Sequence, residues 1–540
     1  MKYQLAMWSM LLLCLVKAGG QTRENYHSFL TPEVRSPKLA DPQHVRDYVH
    51  AGKLRLSLQD AIVLTLENNS SVRVEESRIE SAKFALLHAY QPFDPVLQTI
   101  GNVQRNSYPG FNQIQGSGTF SGLTHSGLIT YTQTLENGTA IQAQLQSIRF
   151  STSSGFYFIN PSYNSTLTLE ITQPLLRNRW RFENQAPLVI ARRNLKQSRL
   201  NFEAQVSGTV LQAIGRYWEV VRARGNLEVS QQSLTSAQAS YEHDKRALEL
   251  GALPPLDIYR SQSEVASRRV QVLQAEYALK QAEDQLRFTI GADQDTYAAA
   301  LDLDLTEQPD PHGNLRSIDA GTALAEALVN RPEVEAAQQA LENDDTSIRL
   351  ARNHMKPDLA LSGMYQSYGV GGNQFSLTTG QLTSRGGLGT SFNQLFGFGF
   401  SGYGSTLTLN LPIRNRGAQA DLGTALVTRH SDQYTSRQVR EQITLDVNNA
   451  VRQLEEAKLT LAAGTAALDL AEKTLTAEQR KYQLGAESIF FQLDAQTRVA
   501  QAQASLLQAQ IEYQDAAAAL DYATGKLLAS YQVQIREIAP

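Results

Sequence analysis

Two long heptad patterns, separated by a constant distance, constrain this 540-residue chain more than any other feature of its sequence. In the later pattern apolar residues recur every seven positions, at Val447, Leu454, Leu461, Leu468, Leu475 and Tyr482 and then, beyond Gly485, at Val499, Leu506, Tyr513 and Leu520. A seven-residue repeat keeps one apolar seam facing a partner helix over many turns. The stretch 442–520 is therefore predicted to form a long antiparallel helical hairpin that turns at Gly485.

The earlier pattern is the same hairpin, 234 residues closer to the N-terminus. Its seam consists of Ala213, Val220, Leu227, Leu234, Tyr241 and Leu248, a turn at Gly251, and then Val265, Val272, Leu279 and Leu286. A second offset, of 262 residues, pairs the segments that precede the hairpins, for example Asn68 with Asn330. These matches indicate an internal duplication. Because the offset falls by 28, the second half is shorter between these segments.

The period of the apolar residues changes to two between the helical segments. Residues 141, 143 and 145 are apolar and alternate with glutamines, and Asn137-Gly138 just before them is a strong hairpin signal. The string Ser-Thr-Leu-Thr-Leu occurs at 165–169 and again at 405–409. Such strands suit a sheet with one face toward lipid and the other toward a wet lumen. The Gly- and Ser-rich stretches 104–127 and 366–390 are predicted to be exposed loops.

The helical segments have two characteristic lengths. The long helices, about 182–250 and 415–484, would each reach roughly 100 Å. The return helices (256–289 and 489–524) and the helices before the strands (57–90 and 322–353) are about half as long. Two half-length helices placed end to end match one long helix, which predicts a layered helical cylinder.

The first residues indicate export from the cytoplasm. Lys2, the apolar run Met7–Val16 and Ala18 form a secretory signal peptide, predicted to be cleaved after Ala18. Lipidation of Cys14 is the alternative, although Leu13 precedes it where such sites favour a small residue. Cys14 is the only cysteine, which excludes a disulfide framework and a zinc cluster of several cysteines. The formal charge of −4 disfavours a nucleic-acid partner.

These observations divide the chain into six parts. They are a signal peptide (1–18), an extended N-terminal segment (19–55), the first repeat (56–290), a linker or small accessory structure (291–318), the second repeat (319–527) and a C-terminal tail (528–540). Each repeat is predicted to run helix, strand, strand, long helix, return helix. This order makes the chain an α+β protein.

The duplicated order, the exits Gln173-Pro-Leu-Leu and Leu411-Pro-Ile, and the turns Leu-Gly-Ala at 250–252 and 484–486 resemble the TolC-like outer-membrane efflux protein family. The resemblance covers residues 56–527. It implies a homotrimer in outer-membrane lipid, with a twelve-stranded β-barrel and a long periplasmic α-helical barrel. It also implies a periplasmic adaptor and an inner-membrane transporter as partners. That transporter supplies the energy, so no cofactor is expected.

The resemblance also implies a gate at the periplasmic tip. Asp257 and Tyr482 match a hydrogen-bonded pair of the family, and Asp494 matches one carboxylate of an acidic ring. Glu487 and Phe491 depart from the pattern: the protein that gives the family its name has an arginine and the second ring aspartate at these places. We expect an Asp257–Tyr482 bond and an apolar constriction at Phe491. Helix capping by Asp257 and Asp494, and core packing of Tyr482, are the alternatives.

The resemblance assigns adaptor docking to the tip turns, which contain Gly251, Pro254, Pro255 and Gly485. Phe396, Phe398 and Phe400 alternate with Gly or Ser, which fits a lipid-facing aromatic girdle or, alternatively, a flexible loop.

The remaining motifs favour no enzyme. The Gly397–Gly402 string fits GxGxxG, but a predicted strand follows it where a dinucleotide site requires a helix. His243, between Glu242 and Asp244, is interpreted as part of a solvated helix face instead of a metal site. An exit duct of a tripartite efflux pump is the favoured function. The alternatives are a type I protein-secretion duct and a periplasmic coiled-coil scaffold without a pore.

Overall fold

A computed structural model of the chain describes residues 44–109, 118–155, 157–250, 255–311, 315–376, 378–484, 486–487 and 489–533. Its helices are α1 (Leu58–Asn68), α2 (Ser70–His88), α3 (Arg181–Glu249), α4 (Pro255–Ile290), α5 (Ala320–Asn330), α6 (Pro332–His354), α7 (Leu388–Phe396), α8 (Arg416–Gln483), α9 (Ile489–Ala523) and α10 (Leu527–Ser530). Its strands are β1 (Val49–His50), β2 (Lys53–Leu56), β3 (Val96–Pro109), β4 (Thr119–Thr134), β5 (Ala140–Thr152), β6 (Ile159–Pro174), β7 (Asp302–Leu305), β8 (Asp358–Phe375), β9 (Leu382–Ser384) and β10 (Ser401–Asn410).

The long helices form as the heptads predict. The helices α3 and α8 contain 69 and 68 residues, and both begin and end within one residue of the predicted bounds. Val220, Val447 and Leu454 on the seams are almost fully buried. Two apolar cores result, one around α1, α3 and α4 and one around α5, α8 and α9.

The helices before the strands are each broken once, which the sequence did not predict. Ser57 caps α1 with a capping box to Asp60, as expected. The helix then stops at Asn69, whose side chain accepts from the Ser71 amide and starts α2. In the second half the break falls at Arg331, because Pro332 has no amide hydrogen to continue the backbone ladder of α5.

The N-terminal segment and the linker form one small sheet. The strand β2 pairs with β1 on one side and, in parallel, with β7 of the 291–318 segment on the other. Leu54 and Leu56 are fully buried in the first core. The end of the 19–55 segment is therefore ordered, and 291–318 supplies accessory structure. Residues 1–18 and the last seven residues of the tail lie outside the described ranges.

A seven-stranded antiparallel sheet adjoins the helices, in the order β10-β8-β6-β5-β4-β3, with β9 on the far end of β8. The hairpin predicted at Asn137-Gly138 is confirmed between β4 and β5, where Gly138 has a φ of 84°. The predicted loops are largely wrong. Strands β3 and β4 occupy most of 104–127, while β8 extends to Phe375 and α7 begins at Leu388, because the small polar residues lie on one face of the sheet.

The first half has four strands where two were predicted. Since β3 corresponds to β8 and β6 to β10, the hairpin β4–β5 is an insertion. It accounts for most of the 28-residue difference between the two halves. In the second half β9 and α7 occupy the equivalent place.

Among the helices that the structure describes, none combines the length and the apolar character needed to cross a bilayer.

Asp515 on α9 couples the stability of the helical layer to pH. Burial raises the pKa of its carboxyl to about 7, the nearby Glu219 adds to the rise, and Arg222 opposes it. The ordinary pKa is about 3.9, so between about pH 4 and pH 7 the folded chain binds more protons than the unfolded chain. The free energy of unfolding therefore falls as the pH rises through this window, and the loss is complete above it.

We expect Asp515→Asn to stabilise the protein by roughly 1–3 kcal/mol at pH 8 and by less at pH 5, because the amide carries no charge to desolvate. Thermal unfolding at the two pH values measures this. The exposed variant Asp469→Asn, on α8, is the matched control. An equal effect of Asp515→Asn at both pH values would contradict the expectation.

Candidate functional site: the ends of the long helices

A buried carboxylate ties three helices together where the long helices end. Asp244, near the end of α3, is fully buried. The hydroxyl of Tyr482, at the end of α8, donates to its Oδ1 atom at 3.1 Å. The hydroxyl of Ser261 on α4 donates to its Oδ2 atom. Both carboxylate oxygens therefore have partners, as a buried charge requires.

The Tyr482 ring also packs against His243. The two ring centroids are 5.5 Å apart in an edge-on arrangement, and the Tyr482 hydroxyl lies 3.3 Å from His243 Nδ1. The interpretation of residues 242–244 as a solvated helix face is therefore wrong for Asp244. The available signal was the heptad register, because Asp244 follows the buried Ala237 by seven residues and occupies a core position. Within the described ranges no group of three or more metal-ligating side chains comes together.

A second polar link joins the two return helices. Arg268 on α4 is largely buried and donates to Thr497 Oγ1 on α9 at 2.5 Å. Glu264, one turn earlier on α4, accepts from the same guanidinium at 2.7 Å. Sequence reasoning missed this link. Like Asp244, Arg268 stands three residues after a seam position, Val265, so a polar residue in the core register was again the signal.

Part of the predicted gate lies outside the described residues. The Asp257 side chain is not described, so the Asp257–Tyr482 bond stays a prediction. Gly251, Pro254 and Gly485 also lie outside the described ranges. Pro255 is the first residue of α4, and its side chain is not described.

Glu487 belongs to a charged cluster at the end of α8. Lys481 Nζ lies 2.8 Å from Glu478 Oε1 and 3.6 Å from Glu487 Oε1. A hydrogen bond between the two carboxyls raises the pKa of Glu487 and lowers the pKa of Glu478. This cluster fastens the end of the helix to the first residues of the turn.

Asp494 and Phe491 lie on the first two turns of α9. Asp494 Oδ2 accepts from Arg498 Nε at 2.8 Å on the same helix. Phe491 is half-exposed and packs edge-on against Phe490, with ring centroids 5.4 Å apart. Neither contact links two helices within the protomer, so a ring or a constriction at these residues would require other copies of the chain.

The three phenylalanines of the predicted girdle lie between α7 and β10 and are exposed. Phe396 ends α7 and stacks on Phe392, whereas Phe398 has a φ of 53° and packs near Tyr365. Their alternation is thus not that of a strand, and their contact with lipid stays a proposal. The strand β10 follows the glycine-rich string, as predicted.

Comparison with known proteins gives a consistent result for both repeats. A profile described as outer membrane efflux protein matches residues 61–292 and 323–526. A search of curated protein sequences finds no significant match.

Several solved structures have the same fold. VceC of Vibrio cholerae is 17% identical with a TM-score of 0.61, covering 89% of this chain and 98% of its own. CmeC of Campylobacter jejuni is 14% identical with a TM-score of 0.60, covering 93% and 92%. The open state of MtrE of Neisseria gonorrhoeae is 17% identical with a TM-score of 0.56, covering 91% and 98%. All three are described as outer membrane proteins or channels.

Proposed function

Since the chain belongs to the outer membrane efflux protein family, we propose that this outer-membrane channel is the exit duct of a tripartite efflux pump. In this proposal it conducts small molecules passively across the outer membrane. Its long helices extend into the periplasm and receive the cargo there.

The observation that carries this proposal is the pairing of a two-faced sheet with helices of about 70 residues. On β5 and β6 one face of the sheet presents Ile141, Leu145 and Leu169, and the other presents Gln142, Gln144 and Thr168. An apolar and a polar face suit a wall between lipid and water. The α3 and α8 helices continue from this wall over roughly 100 Å.

A trimer completes the proposed duct. Among the described residues no strand pairs with the outer edges of β3 and β10. Long exposed strand edges are a liability unless another strand covers them. A neighbouring copy can do so, because β3 starts next to the helices and β10 ends there, so the two edges would meet antiparallel.

The partners are proposed from the family. A periplasmic adaptor would dock at the tip turns around Gly251, Pro254, Pro255 and Gly485, and an inner-membrane transporter would supply the energy. The charged cluster of Glu478, Lys481 and Glu487 next to one turn gives such an adaptor polar groups to recognise. The chain needs no cofactor in this role. A type I protein-secretion duct would use the same architecture with a different cargo.

Planar-bilayer recording of the purified protein tests the proposal, with the oligomeric state measured in the same detergent sample. We expect a trimer with a small, flickering conductance, because the links at Asp244 and Arg268 hold the helix ends together. A protein that stays soluble without detergent and never inserts would instead be a periplasmic scaffold without a pore.

A further inference from the structure

We propose that the inserted hairpin β4–β5 is part of the membrane wall, so that three copies close a barrel of eighteen strands instead of twelve. This inference rests on the proposed channel function. It concerns the width of the barrel and therefore the size of solute that the outer part of the duct admits.

The hairpin lies between the two strands that would otherwise be neighbours. In the second half β8 pairs directly with β10, and the corresponding strands of the first half are β3 and β6. Instead, β3 pairs with β4 from Val96 to Pro109, and β5 pairs with β6 from Ala140 to Phe150. A hairpin that folded back as a plug or an external loop would leave β3 to pair with β6.

Side chains in the same cross-strand row show that the hairpin carries the wall pattern. One row faces the apolar side on all six strands: Leu97, Tyr131, Ala143, Leu169, Tyr365 and Tyr403. The adjacent row faces the opposite side and is polar or glycine throughout: Gln98, Thr130, Gln144, Thr168, Gln366 and Gly402. Both rows run through the hairpin without interruption, which is what lipid on one side and water on the other require.

The height of the hairpin also matches the wall. Its turn is held at the end of the sheet that adjoins the helices, because Glu136 accepts from Gln185 Nε2 at 2.7 Å and from Arg181 on α3. Thr139 donates to Gln173 at the end of β6. Gly138 is required in this turn: at its φ of 84°, an added Cβ would lie 2.7 Å from the Asn178 carbonyl oxygen.

Six strands from each copy give an even number, so every contact between copies is antiparallel. With strands about 4.8 Å apart and tilted by about 40°, the backbone diameter is roughly 24 Å for twelve strands and roughly 35 Å for eighteen. The polar row, rich in Gln and Thr, then lines a lumen of about twice the cross-section. We infer that the narrow part of this duct is the helical tip and that the sheet does not select against bulky solutes.

Engineered disulfides in the detergent-purified trimer test this, since Cys14 lies in the predicted signal peptide and the rest of the chain has no native cysteine. We expect near-complete oxidation of the pairs Gln98→Cys with Thr130→Cys and Gln144→Cys with Thr168→Cys. The pair Gln98→Cys with Thr168→Cys should stay reduced. If that third pair oxidised and the first two did not, in a trimer that still conducts, the barrel would have twelve strands and the inference would be overturned while the channel function stood.

Thiol labelling supplies a second readout that does not depend on disulfide geometry. A membrane-impermeant charged thiol reagent should modify Gln144→Cys and lower the conductance. The matched variant Ala143→Cys, on the other face of the same strand, should be protected by lipid. Labelling of both positions, or of neither, with conductance unchanged would overturn the assignment of the hairpin to the wall. A chain that forms neither trimer nor channel would overturn the proposed function as well.

Discussion

Tyr482→Phe is expected to raise the single-channel conductance several-fold, because it removes a donor from a buried carboxylate. The phenyl ring retains the packing against His243, whereas Asp244 Oδ1 loses its 3.1 Å hydrogen bond. A hydrogen bond to a charged group contributes about 1.5–3 kcal/mol, and the trimer contains three such links. The closed arrangement of the helix ends should therefore lose several kcal/mol.

Planar-bilayer recording measures this change directly. Entry into cells of large antibiotics that the outer membrane normally excludes supplies an independent readout. Tyr277→Phe is the matched control, since this tyrosine is exposed on α4 and packs only beside Lys280 among the contacts described. Asp257→Ala, tested in parallel, separates the predicted partner of Tyr482 from the observed one. If Tyr482→Phe conducted like the wild type, the Asp244 link would be a packing contact and not part of a gate.

Gly291→Ala and Gly525→Ala are each expected to destabilise the protein by roughly 2–4 kcal/mol. The two glycines occupy equivalent places in the two repeats, with φ of 71° and 73°. An added Cβ would lie 2.6 Å from Asn68 Cβ and 2.9 Å from Asn330 Cβ. Alanine thus has an unfavourable backbone conformation and a steric overlap at the same position.

The expected result is a clear drop in the melting temperature of the detergent-solubilised protein for each variant, and a larger drop for the pair. Gly215→Ala serves as the control, because this glycine lies inside α3 with open space around its Cβ position. Alanine there should be neutral or stabilising by up to about 1 kcal/mol. Equal melting of Gly525→Ala and Gly215→Ala would show that the junction tolerates a side chain.

The duplicated junction illustrates how far repeat matching can reach. The offsets of 262 and 234 residues pair Asn68 with Asn330 and Gly291 with Gly525, but they do not reveal that each asparagine contacts its own glycine. In the structure the Asn68 amide donates to the Ile290 carbonyl and the Asn330 amide to the Thr524 carbonyl, both at 3.4 Å. The duplication therefore extends to a tertiary contact.

The sequence by itself determined the elements whose signals are local. A heptad is read within one helix, so the bounds of α3 and α8 could be predicted to within one residue. A two-residue period and the Asn137-Gly138 turn likewise predicted the β4–β5 hairpin. Breaks such as the one at Asn69 were missed, because a single side chain that caps a new helix outweighs the surrounding periodicity.

The tertiary structure decided which elements meet. Pairing of β4 with β3 and of β5 with β6 is a choice among partners distant in sequence, and alternation along a strand does not name its neighbour. The partners of Asp244 come from three helices, so neither its burial nor its hydrogen bond to Tyr482 could be read from one of them. Periodicity specifies which face of an element is buried, whereas only the packed chain specifies against what.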